Sequence, residues 1–263
     1  MNRSNKSNKN LMFLTSKTTI FTILLLLLIA FYDISIVKDN FESDFTSLIT
    51  FFFGGINFNN PRPVLITQYV LVMSLFINLL LDYLELSGDR DYLIILRHRG
   101  VGKFVLSKLW MLIIFTAMFF LLLNCIYLII GGLLLNHSSA YCIYLKEILD
   151  RSIHLDWRRI LAMEVLYLIN LINAGLLSLL IKLKTKRTHL ALLFALSIIL
   201  MSIFSSGTFL RWSPFSVSMI VRFDTITGLH NGIAIIPALA ICLCSIAILL
   251  MLIKLITKKI EIL

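Results

Sequence analysis

Charged side chains are scarce in this chain, and most of those able to do chemistry gather in one segment. Asp82, Glu85, Asp89, Arg90, Asp91, Arg97, His98, Arg99, Lys103 and Lys108 lie together between two long apolar runs. Asp82 and Glu85 stand one helical turn apart, a spacing that suits an acid–base pair or a proton carrier, although a charged helix end at a membrane interface is far commoner. A second constellation surrounds Glu164, an acid inside an apolar run. On a helical wheel Glu164, Tyr167, Gly175 and Ser178 share a sector of about 80°, with Asn170 and Asn173 further round. Such a stripe must face other helices or a cavity. It would line the path of a polar or cationic substrate, or form hydrogen bonds between helices, the reading favoured here. Cys242-x-Cys244 has no second ligand pair, and His137 and His154 fall in one loop, so no metal site is expected. The sequence contains no HExxH, GxSxG or paired-acid signature, and a catalytic site is not expected.

These residues need elements to hold them, and composition says what kind. The 263 residues are 59% hydrophobic and only 14% charged, a balance outside the range of water-soluble domains. Apolar runs predict an all-α, polytopic membrane protein forming one transmembrane domain over 1–263, with six spans near 18–37, 65–84, 106–135, 160–181, 189–204 and 232–256. Phe31, Tyr32 and Asp33 offer no signal-cleavage site, so the first span reads as retained. The formal charge of +10 collects at span edges, which points to topology and anionic lipid and not to nucleic acid. Lys182, Lys184, Lys186 and Arg187 form one basic turn, and Lys254, Lys258 and Lys259 another. With the basic N-terminus and the 85–105 elbow, six spans place every basic cluster and both termini on the cytoplasmic side. Arg151, Arg158 and Arg159 oppose this pattern and are partly balanced by nearby acids.

Finer features follow. Small residues four apart, Ala191/Ala195, Ser202/Ser206 and Ala234/Ala238/Cys242, predict close helix packing. Pro237 predicts a kink in the last span. The stretches 45–53 and 141–157 are read either as amphipathic helices in the headgroup plane or as loops packed on the bundle.

Within the elbow, 89–99 projects as a helix opened by Ser87 or Gly88 and ended by Gly100. Tyr92, Ile95 and Leu96 share one face, while Arg90, Asp91, Arg97 and His98 share the other. Ile94 stands in the middle of the charged face. An apolar knob ringed by charge is how the centre of a protein interface is built, although one exposed isoleucine needs no explanation.

Glu85-x-x-Gly88-x-x-Asp91-x-Leu93, followed by Arg97, Arg99, Lys103 and Leu106-Ser107-Lys108-Leu109, resembles the first cytoplasmic elbow of ABC-2-type transporter permeases. The likeness extends to the six-span layout and to Trp212-Ser213-Pro214-Phe215 with Met219 and Arg222, which is similar to the aromatic-proline segment before the last span. The usual proline turn after the coupling helix is replaced by Leu96-Arg97-His98-Arg99-Gly100. That departure suggests a divergent small-permease branch, of the kind found beside peptide-export or bacteriocin-immunity ATPases.

The resemblance implies a multi-pass permease in a bacterial plasma membrane, with Glu85, Gly88, Asp91, Ile94, Arg97, Arg99, Lys103 and Lys108 forming the coupling elbow. It implies a second permease subunit, identical or homologous, and an ABC ATPase subunit that carries ATP and magnesium. No cofactor is expected in this chain: Gly102-Lys103 has Arg97 where a phosphate-cradling loop requires glycine, and Phe104 where it requires Ser or Thr. Outward movement of an amphipathic peptide or lipid-like molecule is the implied activity. Two alternatives remain: a non-transporting immunity or sensor subunit that binds a peptide at the outer surface, and a carrier driven by an ion gradient. The last needs an acid deep in the bilayer, and Glu164 is the candidate.

Overall fold

The computed structural model describes residues 17–41, 44–53, 63–85, 101–135, 142–144, 157–204, 212–219 and 234–262. Every regular element among them is helical: α1 (Lys17–Asn40), α2 (Phe45–Phe53), α3 (Pro63–Glu85), α4 (Val101–Leu134), α5 (Trp157–Thr185), α6 (Thr188–Phe204), α7 (Pro214–Val217) and α8 (Ile235–Ile262). In a bilayer, each backbone N–H and C=O must be satisfied within the protein, and a helix does this using its own residues alone. Five of these helices, α1, α3, α4, α5 and α8, are long and apolar enough to cross a membrane. The protein is therefore a helical, multi-pass membrane protein. Helix α6, expected as a sixth span, has 17 residues, about 25 Å of helix against a hydrocarbon core of about 30 Å.

The helices outrun the apolar segments that announced them. Helix α4 begins at Val101, so residues 101–105 of the expected elbow belong to a 34-residue helix. Hydropathy marks the thickness of the oily layer, whereas helices continue until their backbone groups find other partners. Pro237, expected to kink the last span, falls in the first turn of α8. It is the third residue of that helix, where its missing N–H would have had no intrahelical acceptor anyway.

Helix α5 is the hub, packing against α2, α3, α4, α6, α7 and α8. Gly175 lets two neighbours approach it: a Cβ there would sit 3.1 Å from Leu80 of α3 and 3.4 Å from Leu112 of α4. Between α5 and α6 the chain reverses through Lys186, whose φ of 57° is left-handed, with its N–H donating to Lys182 O at 2.8 Å.

Helix α2 settles the question posed for 45–53. Leu48, Ile49, Phe51, Phe52 and Phe53 are buried, and so are Thr46, Ser47 and Thr50, so the helix has no face left for the headgroup plane. Asp44 caps it, accepting from Thr46 N at 3.2 Å and from Ser47 N at 2.9 Å. The Ser47 hydroxyl donates to Asp44 Oδ2 at 2.6 Å and accepts from Tyr144 N at 3.1 Å. Gly131 of α4 makes room for the crossing, because a Cβ there would lie 2.7 Å from Leu48 and 2.9 Å from Phe45.

Candidate functional site

Two polar regions stand out, at opposite ends of the bundle. The first lies where α3 ends and α4 begins. The last carbonyls of any helix have no intrahelical donor, and the helix dipole makes that end negative. Here Lys108 supplies one such donor, and Lys182 adds a further bond to a carbonyl one turn back. Lys108 Nζ of α4 is buried and donates to Leu84 O, and Lys182 Nζ of α5 reaches Leu81 O at 3.4 Å. The Lys108 ammonium also sits 5.2 Å from the centre of the Phe104 ring. One row below, the Tyr83 ring stacks on Phe115 at 5.3 Å. Lys182 thereby brings the basic turn after α5 to the same end of the bundle as the elbow.

Of the elbow residues singled out in the sequence, Glu85 closes α3, Lys103 is exposed on the first turn of α4, and Lys108 is turned inward. Gly88, Asp91, Ile94, Arg97 and Arg99 lie outside the described residues. The aromatic-proline segment is docked on the bundle: α7 packs against α5, α6 and α8, with Ser213 Oγ 2.8 Å from Ser202 Oγ, and Cys242 Sγ donating to Pro214 O at 3.6 Å. Arg222 lies outside the described residues.

The stripe on α5 faces protein. Asn170 Nδ2 donates to the Tyr69 hydroxyl of α3 at 2.5 Å. Asn173 Nδ2 donates across to Cys242 O of α8 at 3.3 Å and along its own helix to Ile169 O at 3.2 Å. Ser178 bonds back to Gly175 O at 2.8 Å. Tyr167 is wedged against Phe53 at 5.1 Å, nearly edge-on. These contacts fit the interhelical hydrogen-bond reading of the stripe. Glu164 is half-buried near the start of α5 and stands apart from them.

The second polar region was not singled out in the sequence. Asp33, late in α1, has 0% exposure. Its Oδ2 accepts from Gln68 Nε2 of α3 at 2.6 Å and from the Tyr127 hydroxyl of α4 at 2.5 Å. The Phe52 ring of α2 covers Tyr127 at 4.0 Å. Beside the cluster is a cavity of about 10 Å³, room for roughly one water, lined by Gln68, Tyr69, Tyr167, Phe51 and Phe52 among others. Asp33 Oδ1, Gln68 Oε1, Asn170 Oδ1 and Asn173 Oδ1 are buried oxygens that accept no hydrogen bond from the described residues. The signal that points to Asp33 is its solitude: it is the one charged residue in 18–37, and a lone acid in a span is costly unless other groups surround it. No group of three or more His, Cys, Asp or Glu suited to a metal occurs among the described residues.

Fold and site together define a helical membrane protein with a lysine-braced end of α3 at one end of its bundle and a buried Asp33–Gln68–Tyr127 cluster at the other. The chain matches no protein-family model, and no curated protein is significantly similar to it.

Proposed function

We propose that this chain is the membrane subunit of an ATP-driven exporter of the ABC-2 type, with six spans and both termini in the cytoplasm. An ATPase docks on the 85–105 elbow, a second permease subunit completes the membrane core, and an amphipathic peptide or lipid-like molecule leaves outward. The observation that carries this reading is the bracing of the elbow's flanks. Lys108 and Lys182 tie the end of α3 to α4 and to the hub helix α5. A push on a frayed helix end would dissipate locally, whereas a push here enters the packed bundle through three helices at once. The charges between those flanks offer a surface for a soluble partner, and Ile94 offers its apolar centre.

The test is to solubilise the protein with its neighbours and measure whether an ATPase co-purifies in stoichiometric amount. Ile94→Asp should abolish that association and leave membrane insertion intact. If no ATPase accompanies the wild type, the permease reading fails. If the variant binds the ATPase normally, the elbow is not the docking surface.

One observation favours a second reading, a carrier driven by an ion gradient. Such a carrier needs an acid enclosed within the bundle, and Asp33 meets that requirement better than the half-buried Glu164. That carrier would keep transporting in energised vesicles lacking any ATPase.

A further inference from the structure

We propose that Asp33, Gln68 and Tyr127 form an exchangeable site for one small monovalent cation, a proton or a sodium ion, at the end of the bundle opposite the elbow. The site stands independently of the ATPase reading, since its argument uses no elbow residue.

Asp33 lies about 24 Å along α1 from Lys17 and about 10 Å from Asn40, fully enclosed by helices α1, α3 and α4. Removing a carboxylate from water is costly unless a positive partner or hydrogen bonds make up the loss. Both of its donors, an amide and a phenol, are neutral. The charged residues of its own helix, Lys17, Lys38 and Asp39, are exposed at the helix ends. The titratable groups nearby on the other helices are the phenols of Tyr69 on α3, Tyr127 on α4 and Tyr167 on α5, and α2 presents Phe51 and Phe52. No lysine, arginine or histidine among the described residues pairs with Asp33.

Both donors use Oδ2, and Oδ1 accepts from none of the described residues. Gln68 is joined to Asp33 through its nitrogen, while its own oxygen likewise accepts from none of the described residues. The two planar groups share one hydrogen bond and each has a buried acceptor left over among the described residues, so a positive centre within reach of both Oδ1 and Oε1 would satisfy both. A proton on Oδ1 donating to Oε1 closes a reciprocal acid–amide pair. A sodium ion takes the same two oxygens as ligands, and the adjoining cavity supplies space for a water on the Gln68 side.

Infrared spectroscopy of the full-length protein in liposomes separates the occupants. With a proton bound, the wild type shows a protonated-carboxyl stretch that is lost in Asp33→Asn. With sodium bound, a carboxylate band shifts when sodium replaces potassium, and that shift is lost in Asp33→Asn. A band of Asp33 that is an ionised carboxylate, identical in sodium and potassium, overturns the proposal. Should Asp33→Asn fail to fold, Tyr127→Phe reads the same site, because losing one hydrogen bond to Oδ2 moves whichever band belongs to Asp33. An unmoved spectrum in that variant also overturns the proposal.

Discussion

Replacing Lys108 with methionine should fray the end of α3 without unfolding the bundle. Methionine keeps most of the apolar stem and its volume, so the change removes chiefly the ammonium. A hydrogen bond from a charged donor contributes about 1.5–3 kcal/mol, and the negative end of the helix dipole adds to its strength. Leu84 O then loses a buried donor, though the protein no longer bears the desolvation of a cation. These opposing terms leave about 2 kcal/mol, roughly a thirtyfold rise in local opening. The Lys182 contact with Leu81 O survives, so fraying should stop there. Amide hydrogen exchange checks this. Tyr83, Leu84 and Glu85 should exchange roughly thirtyfold faster in Lys108→Met, while residues before Leu81 and those of α8 keep wild-type rates. Lys108→Arg, which retains a cation able to reach the same carbonyl, should lose much less. Unchanged protection at Leu84 in the methionine variant would refute the bracing argument, and with it the structural support for a coupling elbow.

Two further perturbations probe packing. Gly131→Val should displace α2, because the new Cβ meets Leu48 at 2.7 Å and Phe45 at 2.9 Å, and the melting temperature should fall by the equivalent of about 1–3 kcal/mol. Gly132→Ala is the control, since a Cβ there meets nothing within 4 Å, and it should be neutral or slightly stabilising. A double-mutant cycle on Tyr69→Phe and Asn170→Leu should give a coupling of about 0.6–1.7 kcal/mol in detergent unfolding, and zero coupling would mean that their hydrogen bond holds nothing.

What the sequence revealed and what it hid divide along a physical line. Long apolar runs are local properties, so the positions of α1, α3, α4, α5 and α8 were legible to within a few residues. The α5 stripe was legible too, because Asn170 and Asn173 declare polar neighbours whatever those neighbours are. Helix α2 was ambiguous: three consecutive phenylalanines suit a headgroup layer and a core equally, and only the space made by Gly131, more than seventy residues away, decides between them.

Asp33 is the instructive omission. Its partners Gln68 and Tyr127 are 35 and 94 residues distant, and neither is charged, so no spacing rule links the three. Counting charges points to 82–108, where most of them are gathered. The single carboxyl in a twenty-residue apolar stretch carries more information per residue, because it persists only if the surrounding helices or an ion compensate it. In a chain of this composition, the rarest charge is the one to follow first. Helix packing gives the reason: an uncompensated acid would oppose insertion of α1, and the neutral donors around Asp33 supply hydrogen bonds without supplying the missing positive charge.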